Sequence, residues 1–263
     1  MPKRETELVN GETYHITMRG VDGRQIFIDN EDRWRGVFGL YEFNNAKSVT
    51  IRKQREKRRK FKESRKSLSG ELSKNCNPGK FDRVPVSAEL FGGSSSEPSE
   101  TSEVEIDQRE RLVDILAFVF MPNHIHLLLR QICTNGLSFF VRKFGVGFAM
   151  YFNSRYERKG TLFQGRFEAK LISDDEYLKT AFVYVHTNPI SLIEPKWKEN
   201  GINDPLAAIK FLEEYRWSSY PDYLGKKNFP SVSDREFISQ VFGNRKIMKK
   251  FVDEWILSKK LTG

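Results

Sequence analysis

At 263 residues, with 30% charged and 38% hydrophobic residues, the chain has room for one large domain or a catalytic domain with an appendage. No stretch approaches the roughly 18 apolar residues of a membrane helix, and the first residues carry no apolar signal core, so no membrane partner and a cytoplasmic location are expected. The two cysteines, Cys76 and Cys133, belong to no Cys-X-X-Cys pair, which argues against a cysteine zinc site and a disulfide framework.

The formal net charge of +9 points to a polyanionic partner. Residues 52–66 hold ten Lys/Arg and two acids, while residues 97–110 hold six acids and one arginine. These opposite blocks largely cancel, so the remainder of the chain is basic in its own right.

In chain order, residues 11–20 read as a strand ended by Gly20, with Tyr14, Ile16 and Met18 on one face and His15, Thr17 and Arg19 on the other. Residues 30–48 carry Trp34, Val37, Phe38 and Tyr41 at helical spacing, starting at Asn30 or Asp32. Residues 52–110 are poor in apolar side chains and rich in charge blocks, Gly and Ser, which predicts a partly disordered insertion. Residues 113–120 form a nearly continuous apolar run suited to a central buried strand. Met121, Pro122 and Asn123 then turn the chain into a second strand over 124–130, giving a hairpin.

From Leu137 the positions Phe140, Val141, Phe144, Phe148, Tyr151 and Phe152 define a helical face, in which Gly145 and Gly147 each cost about 1 kcal/mol relative to alanine. Residues 161–172 read as a further strand. Ser173 to Glu176 has the capping-box pattern for a helix that Pro189 stops. The order of strands and helices is that of an α+β, ferredoxin-like split β-α-β antiparallel sheet with helices on one face. Residues 190–263 read as a mostly helical extension, with Ser233 to Glu236 as a second capping box.

Four histidines occur, His15, His124, His126 and His186. His124 and His126 stand at i and i+2 on a predicted strand, so both rings leave the same face. The strand is otherwise apolar, and two imidazoles there need a partner; one shared metal ion is the alternative to a purely structural pair. Tyr184 and Asn188 lie at i and i+4 of the predicted helix, one above the other. Alone, a tyrosine on such a helix marks core or rim, and an asparagine before Pro189 marks a helix end.

Together these pieces resemble one family. Phe120-Met-Pro-Asn-His-Ile-His-Leu-Leu-Leu129 resembles the His-hydrophobic-His motif of the IS200-like, single-tyrosine transposases of the "HUH" kind. In that family's order come Tyr14-His-Ile-Thr-Met-Arg-Gly20, Tyr151-Phe-Asn-Ser-Arg-Tyr156, Leu162-Phe-Gln-Gly-Arg-Phe167, Asp175-Glu-Tyr-Leu178 and Tyr184-Val-His-Thr-Asn-Pro189. Tyr215-Arg-Trp-Ser-Ser-Tyr220 and Tyr223-Leu-Gly225 are similar to the branch called REP-associated tyrosine transposases. The likeness covers about residues 11–50 and 111–225.

The resemblance implies a catalytic domain over 1–190, interrupted at about 52–110, and a helical extension over 191–263. It implies Tyr184 as nucleophile, His124, His126 and Asn188 as metal ligands, and a 5′-phosphotyrosine formed on single-stranded or hairpin DNA. A phenol is a weak nucleophile at neutral pH, and a divalent ion that polarises the phosphate supplies the help it needs. Two imidazoles and one amide oxygen suit Mg²⁺ or Mn²⁺ better than a closed zinc site. Arg19, Arg166 and Lys170 are candidate DNA contacts, against a reading as ordinary surface charge. His15 is expected to pack or touch DNA, and His186 to be structural. The competing readings are a domesticated protein that binds DNA without cutting and an RNA-binding ferredoxin-like module. A monomer and a homodimer both remain open.

Overall fold

The computed structural model describes residues 8–47, 107 and 109–260. Apart from residues 107, 109 and 110, the insertion expected at 52–110 lies outside the described residues.

Four strands form one antiparallel sheet: β1 (Thr13–Arg19), β2 (Val113–Met121), β3 (His124–Gln131) and β4 (Glu168–Ile172). Their spatial order is β2-β3-β1-β4, the expected ferredoxin-like arrangement within an α+β fold. β2 is buried on both faces, as its unbroken apolar run predicts. A bulge between Ile115 and Ala117 inserts one residue against β3. It puts Ile115 and Phe118 in the same core and turns Leu116 and Ala117 together to the opposite one.

One face of the sheet is covered by α1 (Asn30–Glu42) and α2 (Gly136–Arg155). Asp29 caps α1 in a reciprocal pair with Asp32, one residue before the expected start. The helix ends at Glu42, short of residue 48, because Asn44 turns its amide onto β2, binding the backbone N–H of Leu112 and Val113 and the carbonyl of Val113. Along α2, Phe140, Phe144, Phe148 and Phe152 recur every fourth residue and are all buried. Burial of side chains this size stabilises by about 2–3 kcal/mol each, enough to outweigh the helix glycines. Gly147 is there for space, since a Cβ would run into the Phe43 ring.

The opposite face is covered by α3 (Asp175–Thr187) and by elements beyond Pro189, a placement the sequence pattern did not include. Asp174 caps α3 through the backbone N–H of Tyr177, and Ser173 donates to Asp174 instead of capping directly. A 3₁₀ turn (Asn188–Leu192) follows, with Pro189 in its first turn, then α4 (Trp197–Asn200), α5 (Pro205–Glu214), α6 (Tyr220–Tyr223), α7 (Glu236–Phe242) and α8 (Arg245–Ser258). Ser233 forms no capping box: Arg235 stands at the N-cap of α7 without a side-chain bond, and the Ser233 hydroxyl is buried.

The run Tyr215 to Tyr223 has a structural role at the outer edge of β2. Phe120 N–H donates to the Trp217 carbonyl, Ser219 N–H to the Phe118 carbonyl, and the Tyr215 hydroxyl to the Phe120 carbonyl. The Tyr223 hydroxyl donates to the Leu116 carbonyl. Backbone groups that an edge strand would leave open are thus paired within the chain. Among the described residues, no helix is long and apolar enough to cross a membrane.

Candidate active site

Strand alternation assembles the site on the sheet face opposite the phenylalanine core. Ile125, Leu127 and Leu129 of β3 point into that core, so His124 and His126 point away from it. The β1 register sets Arg19 across from His124 and Thr17 across from His126, with His15 next along the same face. On the other side of β1, Lys170 of β4 lies across from His15. The turn that starts β3 is pinned to the end of β1: Gly20 N–H donates to the Asn123 carbonyl at 2.8 Å, and Ile26 N–H to the Pro122 carbonyl at 2.8 Å.

α3 brings Tyr184 over this face. Leu178, Ala181, Phe182 and Val185 bury the helix against the sheet and extension, leaving Tyr184 at its rim with 37% of its surface exposed. The Tyr184 ring stands edge-on to His126 and to His15, with centroids 5.5 Å away in both cases. His124 and His126 are perpendicular to each other at 4.9 Å.

The contacts of each imidazole define which nitrogen it offers. His124 Nδ1 lies 2.6 Å from Asn123 Oδ1, which can only accept, so Nδ1 carries the proton and Nε2 its lone pair. His126 Nδ1 lies 3.0 Å from His15 Nε2 and 3.3 Å from Thr17 Oγ1, an arrangement that again leaves Nε2 for a ligand. The His15 and His126 rings stack at 5.0 Å with a 19° interplanar angle. Burial pushes His126 down to about 2, helped by His124, His15, Lys198 and Arg19. Burial, then Arg19 and Lys198, push His124 to about 4; burial, then Lys170, push His15 to about 4. All three imidazoles are therefore neutral near pH 7, the form that binds cations.

Asn188 follows α3 and is buried. Its Nδ2 donates to the Tyr184 carbonyl at 2.7 Å, and its Oδ1 accepts from Lys198 Nζ at 3.1 Å. Two neutral imidazoles on one strand face, each with an Nε2 that none of these partners takes, fit two positions of a divalent ion that keeps others open. Among the described residues no group of three or more His, Cys, Asp or Glu is arranged to hold a metal.

Of the expected DNA contacts, Arg19 and Lys170 flank the histidines, while Arg166 does not share their strand. β4 starts only at Glu168, because Gln164 N–H bonds the Arg19 carbonyl and Gly165, at a left-handed φ of 57°, breaks the extended run before Arg166. Arg166 is exposed in that bend. His186 is buried as expected, with Nε2 2.8 Å from Ser219 Oγ and its ring between Phe182 and Tyr220. His15 packs on His126, as one of its two expected roles has it, although the identity of that partner, 111 residues away, was not read from the sequence, and the sequence pattern did not single out Lys198. A polar residue sharing the face of the His pair was the available signal for His15; Lys198 had none.

The family model of IS200-like transposases matches residues 102–188, a span that holds the His124/His126 pair, Tyr184 and Asn188. The part of the motif likeness that falls within those residues is thus matched by a separate comparison. A solved structure described as a REP-associated tyrosine transposase bound to a REP hairpin is similar with a TM-score of 0.41 and 11% identity, over 89% of this chain and 93% of that one. No curated protein matches the chain significantly.

Proposed function

We propose that this IS200-like chain cuts and rejoins single-stranded or hairpin DNA through a covalent 5′-phosphotyrosine on Tyr184. The observation that carries the reading is the Tyr184 ring edge-on to His126, over a face where His124 and His126 are neutral and leave both Nε2 atoms free. His124, His126 and Asn188 would hold a Mg²⁺ or Mn²⁺ ion, which when bound polarises the phosphate and stabilises charge on the leaving oxygen.

The chain's own residues supply the remainder. The helix holds the phenol over the histidine face at a partly exposed position that a bent strand can reach. The phenol oxygen bonds to phosphorus, the bond from phosphorus to the 3′-oxygen breaks, and the phenol's proton balances the one gained by the 3′-hydroxyl. One phosphodiester replaces another, so a 3′-hydroxyl can reverse the step without a nucleotide cofactor. Arg19 and Lys170 beside the site supply positive charge for the backbone on either side. With α3 and the extension over the sheet face that an RNA-recognition module keeps open for bases, DNA cleavage fits better than that alternative.

The test uses DNA strands tiled across the sequence flanking the chain's own gene, labelled at either end and incubated with protein and Mn²⁺. Label on the 3′ side of the cut should migrate with the protein in denaturing gels and map to Tyr184, and Tyr184→Phe should bind DNA and cut none. Covalent label on the 5′ side, or on another tyrosine, refutes the mechanism.

A further inference from the structure

Lys198 lies ten residues beyond Asn188, outside the span that matches the transposase family, yet its side chain returns to the centre of the site. Its ammonium donates to Asn188 Oδ1 at 3.1 Å and lies 4.7 Å from the centroid of the Tyr184 ring. α4 positions it: the neighbouring Trp197 is buried in the second core and stacks edge-on with Trp255 at 5.9 Å, which anchors the backbone while Lys198 stays exposed.

Among the described residues, this ammonium has no anion of its own: its hydrogen-bond partner is an uncharged amide and its ring contact within the site is Tyr184. Such a charge, aimed at the residue that receives a phosphate, is matched by a phosphate oxygen. Resting on the reading of Tyr184 as nucleophile, we infer that Lys198 is a further catalytic residue, whose ammonium leaves Asn188 Oδ1 to hold a non-bridging oxygen of the phosphate that Tyr184 attacks. The C-terminal extension then does more than close the edge of β2: it contributes a functional group to the centre built by the sheet and α3.

The experiment takes the full chain and the strand that the wild type cuts. Lys198→Met should lower the single-turnover cleavage rate about 100-fold, the scale of one lost transition-state donor, and Lys198→Arg should recover most of it. Because Lys198 is exposed, neither change should disturb the fold. A second measurement separates phosphate contact from a structural role. It uses Tyr184→Phe protein, which retains the ring but cannot form the linkage. There, a neutral methylphosphonate at the cut position should weaken binding about fivefold while Lys198 is present, on the scale of an exposed charged hydrogen bond. Once Lys198→Met is added to the same protein, the weakening should fall below about twofold. Equal cleavage by wild type and Lys198→Met overturns the inference while leaving Tyr184 in place. So does an equal methylphosphonate effect in both backgrounds. If no tiled strand shows Tyr184-dependent cutting by the wild type, the reading of the site falls, and this inference falls with it.

Discussion

His15→Ala removes the group that faces His126 Nδ1 at 3.0 Å and stacks on its ring at 5.0 Å. Two consequences can be separated. The first is orientation: without His15, His126 Nδ1 keeps only Thr17 Oγ1 at 3.3 Å as a hydrogen-bond partner, so the ring is held less firmly with Nε2 toward the site. Loss of an outer partner of a metal-binding histidine weakens metal affinity about 10–100-fold, and the surviving hydroxyl places this case near tenfold. The second is stability. One hydrogen bond and one ring stack are lost beside a buried imidazole, a cost of about 1–2 kcal/mol that should lower the melting midpoint by a few degrees. Mn²⁺ binding, followed by the electron paramagnetic resonance signal of the free ion, should weaken about tenfold. Cleavage should recover when Mn²⁺ is raised by the same factor. Unchanged Mn²⁺ affinity in a folded His15→Ala protein would show that His15 packs against His126 without orienting it.

Asn188→Ala should reduce cleavage less than His124→Ala or His126→Ala, because water can take the place of one neutral amide; equal losses in DNA-cleavage assays would contradict this ranking. Tyr223→Phe deletes the hydroxyl that pairs with the Leu116 carbonyl on the β2 edge, and should destabilise the protein by about 1–3 kcal/mol in urea unfolding with the cut rate intact. Gly147→Ala drives a methyl into the Phe43 ring and should cost about 1–3 kcal/mol by the same assay, although alanine is the better helix former. Burial holds His186 at about 3, far below its unfolded value, so the unfolded chain binds the extra proton as pH falls below about 6.5. Stability from this group is full above that pH and is lost progressively down to about 3. His186→Gln, which keeps a donor for Ser219, should flatten that part of the melting-against-pH curve, and an unchanged slope would remove His186 as its source.

The strands of the hairpin, the helix faces and the shared face of His124 and His126 were legible because each is a local pattern, whereas Tyr184 stood out only through the family likeness. Alternation along β3 alone decides that His124 and His126 share a face, and fourfold spacing alone aligns the phenylalanines of α2. Local signals also misplaced several boundaries. Ser173 and Ser233 sit in sequences fit for capping, yet Asp174 caps α3 and Ser233 is buried, because capping depends on where the preceding chain enters the helix. Arg166 looked like a strand residue until the bond from Gln164 to Arg19 and the left-handed Gly165 ended the run.

What the sequence by itself determined is the order of the four strands and of α1 to α3, and the inward and outward faces of β1 and β3. The tertiary structure alone decided that His15 orients toward His126, that Lys198 returns to Asn188 and Tyr184, and that Tyr215 to Tyr223 seal the edge of β2. The physical reason is range. Periodicity reports how a side chain projects from its own backbone, whereas these contacts join residues separated by up to 111 positions and exist only once antiparallel register and helix packing have closed the chain around them.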